Sequence, residues 1–132
     1  MIVRNTHLYD LTPRSAPDYA ALLPSGGHVV HLGSPPKIYT PTLFHQLKCL
    51  GIIHAGLMDV PDADGVATPT PLISHCLNYL RQTILCRPNL RLESVINANA
   101  SSEKEYETVC RNWEAVYEAA EQNQKTFSAL YK

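Results

Sequence analysis

Two short segments carry side chains able to do chemistry at matching offsets: His45-Gln46-Leu47-Lys48-Cys49 and Leu72-Ile73-Ser74-His75-Cys76. Imidazole exchanges protons near neutral pH, so two histidines facing one another across a helix pair would form an acid–base couple. Lys48, one helical turn beyond His45, can polarise a carbonyl or depress the proton affinity of a neighbouring histidine. Tyr79, one turn beyond His75, can donate a hydrogen bond to a developing negative charge. The same side chains also have an ordinary structural use, as histidines satisfied at helix–helix contacts and a lysine whose stem lies along apolar surface. Of the other histidines, His28 and His31 belong to a short extended run and face opposite sides of it, which does not suit a shared ion. His7 and His54 fit no motif and read as structural or exposed.

For His45 and His75 to meet, two helices must carry them. Thr40 can cap a helix and Pro41 suits its first position, and Leu43, Leu47, Leu50 and Leu57 then recur at helical spacing to about Met58. His45, Cys49, Ile52 and Gly56 form a second stripe, and a helix apolar on two sides belongs at the centre of a fold. Thr70 and Pro71 repeat the entry device, and Arg87-Pro88 stops the second helix after about Cys86. Its core face is Ile73, Cys76, Leu77, Leu80 and Ile84. Leu72, His75, Tyr79, Gln82 and Cys86 make a neighbouring stripe of mixed polarity, the pattern of a pocket wall or of a partly solvated flank. The substrate-binding candidates are therefore Leu72, Gln82 and Arg81, with Phe44 beside His45; Arg81 can equally pair with Glu114 or Glu118.

A third helix is predicted from the capping box of Ser102 and Glu105, with Tyr106, Val109, Cys110, Trp113, Val116 and Ala120 on its apolar face and Trp113 as a core anchor. The tail from Lys125 either continues it or frays. Residues 1–40 are rich in proline and glycine, and Gly26-Gly27 followed by His28–Leu32 predicts a turn and a short strand. The expected architecture is mainly α: one domain over residues 1–132, with a three-helix core at 41–124 and an irregular amino-terminal arm at 1–40 that has room for a small β-hairpin.

A length of 132 residues suits a single domain, and a net charge of -1 leaves no basic stripe for nucleic acid or an anionic membrane surface. No apolar run of about 18 residues occurs, and the first 20 residues lack the pattern of a signal peptide, so the chain as given is expected to be soluble. Cys49, Cys76, Cys86 and Cys110 are the disulfide candidates in an oxidising compartment and buried thiols in the cytosol. Asn99-Ala100-Ser101 is a candidate glycosylation sequon.

From about Leu22 to Trp113 the sequence resembles the UstYa-like family of fungal secondary-metabolite tailoring enzymes. The landmarks fall in family order: Leu22, Pro24, Gly26 and Val29; the segment at His45; His75-Cys76-Leu77-Asn78-Tyr79-Leu80-Arg81-Gln82 with Cys86; and Cys110-Arg111-Asn112-Trp113. The resemblance implies action on ribosomal peptides or other small natural products, by ring closure, hydroxylation, desaturation or halogenation. It also implies copper held by paired His-x-x-His-Cys signatures and an amino-terminal anchor in endomembranes, which places the chain in their lumen if such an anchor has been removed.

The departures from that pattern redirect the chemistry. Lys48 stands where the first signature has its second histidine, Leu72 where the second has its first, and Thr108 where a further histidine is common. Leucine removes a ligand, and lysine sets a cation beside any metal that remained. What is left, His45 and His75 with solvent or Tyr79, is a poor copper site. The expectation is thus a cyclase of natural-product biosynthesis without a redox metal or other cofactor. It would work by Michael-type, aldol-type or Diels–Alder closure, with His45 and His75 as proton-transfer groups and Lys48 and Tyr79 as polar support. The alternatives are a copper-dependent oxidative cyclase with a rebuilt site at His45 and His75, and a non-catalytic partner of an intact paralogue. The expected partners are a small natural-product substrate and a second chain, as a homo-oligomer or a heteromer with a paralogue, and no nucleic acid.

Overall fold

The protein's structure, a computed structural model, describes residues 2–4, 6, 8–58, 70–92 and 105–131. The chain begins with strand β1 (Ile2–Arg4), then a 3-10 turn at Pro13–Ser15 that leads into a short helix α1 (Ala16–Ala20). Strands β2 (Val30–Leu32) and β3 (Lys37–Tyr39) follow, then helices α2 (Thr42–Met58) and α3 (Pro71–Cys86), strand β4 (Glu105–Glu107) and helix α4 (Glu114–Leu130). The fold is mainly helical, as the sequence predicts. β2 and β3 form an antiparallel hairpin with His31 opposite Ile38, and β1 pairs antiparallel with β4, with Val3 opposite Tyr106.

Helix α3 starts where its entry residues place it, whereas α2 starts one residue later than expected, at Thr42, because the Thr40 hydroxyl donates to the His28 carbonyl at 2.8 Å and does not cap the helix. The first turn of α2 closes onto Pro41, whose carbonyl accepts from the His45 amide at 3.1 Å. At α3 the Thr70 hydroxyl accepts from the Ile73 amide at 3.3 Å while Pro71 occupies the first turn, where no N–H is needed.

The third helix differs from expectation. Residues 105–107 are extended and paired with β1, and the helix begins at Glu114. Asn112 accepts from the Ala115 amide at 3.2 Å, doing for this end what Thr70 does for α3. The capping residue inferred at Ser102 lies outside the described residues, as do His7 and the sequon at Asn99. Tyr106, Val109, Cys110 and Trp113 are thus not on a helical face; Val109 is fully exposed and Trp113 stands 45% in water, resting edge-on against Tyr117 rather than anchoring a core. The tail continues as helix to Leu130.

A small core joins the arm to α2 and α4: Val30, Phe44 and Ala120 are buried, with Leu23, Leu43 and Tyr117 packed around them. α4 holds the arm chiefly by hydrogen bonds. Gln124 accepts from the Gly26 amide and donates to the carbonyls of Gly27 and Val29, Asn123 bonds both the amide and the carbonyl of His31, and the Tyr117 hydroxyl donates to Leu22. The irregular stretch at Gly26–Val29 and the His31 backbone of β2 have these groups left over from the hairpin, so side-chain amides on one helical face take them up.

α3 lies outside this core. Its close packing is against α2, and of its side chains only Cys76 is buried. The expected core positions Leu77 and Ile84 are 52% and 64% exposed, and Leu50 and Leu57 of α2 are 42% and 49% exposed. Two devices hold the pair. Cys49 and Cys76, both fully buried, are joined by a disulfide with Cα atoms 5.0 Å apart. At Gly56 the helices approach so closely that a Cβ would meet the end of the Ile73 side chain.

Candidate functional site

The disulfide sets the register of the antiparallel α2–α3 pair, and that register brings the two singled-out histidines together. His45 lies one turn before Cys49 and Tyr79 one turn after Cys76, so they meet across the pair with ring centroids 4.0 Å apart and planes at 23°. His75 lies 5.9 Å from His45 and 6.2 Å from Tyr79, nearly parallel to both. His45 and Tyr79 are partly buried and His75 is exposed, so the cluster opens to solvent along one flank of the pair. Among the described residues, neither imidazole and not the Tyr79 hydroxyl makes a hydrogen bond to the protein. Their polar atoms are available to a bound molecule.

The other candidates divide. Leu72 and Gln82 lie one turn before His75 and one turn after Tyr79 on the same flank, both exposed. Arg81 is turned to the far side of α3, where its guanidinium donates to Asn78 at 2.9 Å, and so does not reach the rings or pair with Glu114 or Glu118. Phe44 is fully buried against Tyr117 and belongs to the core, not to a substrate surface. Lys48 is exposed and lines a separate cleft of about 290 Å³ between α1 and α2, with Tyr19, Leu23 and Ile52. A larger cleft of about 640 Å³ opens on the opposite flank of the pair from His45, lined by Gln46, Leu50, Leu80 and Thr83. Of the four cysteines, Cys86 and Cys110 are free and exposed.

His54 is buried and has a different task. Its Nε2 lies 3.1 Å from the Thr12 carbonyl and 3.0 Å from Ser15 Oγ, and its ring stacks on Tyr19 at 4.2 Å. A carbonyl only accepts, so Nε2 carries the proton, and the Ser15 hydroxyl shares its single proton between the carbonyls of Asp10 and Thr12, at 2.7 and 2.8 Å. With its facing nitrogen already protonated, His54 does not act as a base toward Ser15; the pair fixes the arm to α2.

A resident copper centre would need more donors than this flank supplies. The near-parallel rings of His45 and His75 offer two imidazole nitrogens, and among the described residues no group of three histidine, cysteine or carboxylate side chains lies within reach of one ion. Ligand number and geometry set metal selectivity, so the described residues of this flank do not by themselves make up a three-ligand centre.

The fold is mainly helical, and its helices α2 and α3 are locked by a disulfide and carry an open histidine–tyrosine cluster. Residues 23–123 match the family model described as Mycotoxin biosynthesis protein UstYa, and the chain belongs to the UstYa family. It is 31% identical over 86 residues to the UstYa family oxidase phomYb of Diaporthe leptostromiformis, a match covering 63% of this chain and 34% of that protein. The chain thus spans about a third of the length of this curated relative. No solved structure matches it.

Proposed function

We propose that this chain is a natural-product tailoring enzyme that closes a ring in a small substrate without a resident redox metal. The observation that carries the reading is the cluster itself: two imidazoles 5.9 Å apart, one of them stacked on a tyrosine, with their polar atoms uncommitted and no further ligand among the described residues. In this reading His45, held partly buried by Tyr79, takes a proton from the carbon or heteroatom that attacks. His75, exposed one ring away, returns a proton to the atom that receives charge, as Michael-type or aldol-type closure requires. Tyr79 donates from its hydroxyl to the developing oxyanion. A pericyclic closure needs only a folded substrate, for which stacked rings and the exposed Leu72 offer an apolar platform.

The name oxidase carried by the Diaporthe leptostromiformis relative favours a second reading, oxidative closure. The mass of the product separates the two. A linear precursor incubated without oxygen and with a chelator should give a cyclic isomer of unchanged mass, and His45→Ala or His75→Ala should slow its formation by about 100-fold or more. Loss of two hydrogens from the product, or strict dependence on oxygen and copper, would overturn the non-redox reading. A folded chain that converts nothing alone but alters the rate of a co-expressed paralogue would assign it the role of a silent partner.

A further inference from the structure

Lys48 is the one charged side chain of α2, and the ring cluster leaves it unused. It lines instead the cleft of about 290 Å³ between α1 and α2, a volume near the lower end of small-molecule sites, roughly 300–1,000 Å³. The walls are mostly apolar, with Leu23, Leu47 and Ile52 among them. The two aromatic walls have polar groups committed to the protein: the Tyr19 hydroxyl donates to the Tyr9 carbonyl at 3.0 Å, and His54 Nε2 donates to that of Thr12 at 3.1 Å. Lys48 differs from them. It is exposed, no carboxylate among the described residues pairs with it, and Asp18, the only acid of α1, is not in the lining.

Gly51 keeps the cleft open from the α2 side, one helical turn beyond Lys48. A Cβ built there would meet no side chain or neighbouring element among the described residues within 4 Å, whereas at Gly56 one would meet Ile73. Glycine weakens a helix interior relative to alanine. The close approach of α3 accounts for it at Gly56; at Gly51 there is no such contact, and what the missing side chain provides is space in the cleft.

We propose that this cleft binds a small amphipathic carboxylate, its hydrocarbon body along Leu23, Leu47 and Ile52 and its charged end on the Lys48 ammonium. The charge of the lining selects an acid, since it holds one ammonium and no carboxylate. A single point charge without a guanidinium fork suits one carboxylate rather than a phosphate, which takes several donors. Burial of the hydrocarbon against apolar walls supplies the rest of the affinity. The cleft is separate from the ring cluster, so the proposal stands whether or not His45 and His75 close a ring.

Titration of the isotope-labelled chain with octanoate, followed by backbone amide shifts, tests this, with octanol as the uncharged probe of the same length. The expected result is saturable binding of one octanoate per chain, with shifts concentrated in residues 16–23 and 47–55, and octanol held about fivefold more weakly, the worth of one exposed ion pair. Lys48→Gln should remove that preference while leaving the affinity for octanol as it was, which loss of structure cannot imitate. Gly51→Leu, which puts a side chain into the open space, should weaken both probes by about tenfold or more while shifts elsewhere stay those of the folded chain. Equal affinity for the two probes, shifts that do not saturate or that map beside Arg87 on the α2–α3 flank, a Lys48→Gln chain that still prefers octanoate, or a Gly51→Leu chain that binds as the wild type would overturn the proposal.

Discussion

Replacing Cys49 and Cys76 together by alanine should cost more stability than any other change at the α2–α3 contact. The bond closes a segment of 27 residues, and the entropy that such a cross-link removes from the unfolded chain corresponds to about 3.5 kcal/mol at 25 °C. A domain of this size has about 5–15 kcal/mol in all, so the loss is a large fraction of the total. The dependence is steep here because α3 buries no other side chain: without the bond, the contact rests on partly exposed residues such as Ile73, Tyr79 and Leu80. Urea unfolding followed by far-ultraviolet circular dichroism should show a midpoint shift equivalent to about 3–4 kcal/mol, and heating a drop in Tm of roughly 10–15 °C. His45 and Tyr79 each lie one turn from the bonded pair, so contact between their rings, read from aromatic proton shifts, should weaken in the variant before the helices melt. A loss under about 1 kcal/mol, or rings that stay stacked, would refute the idea that the disulfide positions the cluster.

Other changes should separate core from cluster. Phe44→Ala should destabilise the domain by about 3–5 kcal/mol while leaving the chemistry of the ring flank intact in the folded fraction, measured by activity per folded chain. Gln124→Ala should cost about 2–3 kcal/mol in urea unfolding, because it strips partners from three backbone groups of the arm at Gly26, Gly27 and Val29. The Glu121 carboxylate accepts from the Ser25 hydroxyl and amide, which hold its proton affinity below the usual carboxylate range. A carboxyl with a depressed folded-state pKa stabilises above its unfolded pKa and loses that contribution as pH falls through the folded one. The stability gap between wild type and Glu121→Gln should therefore close in acid and be constant near neutrality, as a pH series of urea midpoints would show.

The parts of this molecule governed by local chemistry were legible in its sequence. Thr70 and Pro71 mark the start of α3, and Pro41 that of α2 to within one residue, because capping and the missing proline N–H act within one turn. The register that brings His45 to His75 was not written locally; it follows from the Cys49–Cys76 bond, one of several pairings that four cysteines permit. The late start of α4 was missed because Tyr106, Val109, Cys110 and Trp113 keep helical spacing by coincidence, while pairing with β1, just over a hundred residues away, draws 105–107 into a strand. Asn112 was the available signal. Phe44 and Arg81 do not join the ring cluster for a simple reason: neighbours in sequence on a helix point in different directions, Phe44 to the core and Arg81 to solvent. The bracing of the arm by Asn123 and Gln124 had no sequence signal, since polar residues on a helix usually face water.

The central claim is that His45 and His75 work as proton-transfer groups and not as ligands. Its most direct test is the copper retained after the purified chain is saturated with the ion and desalted. The account predicts well under one ion for every ten chains, with no difference between wild type and His45→Ala. One copper per chain or per pair of chains, lost on substitution of either histidine, would contradict it.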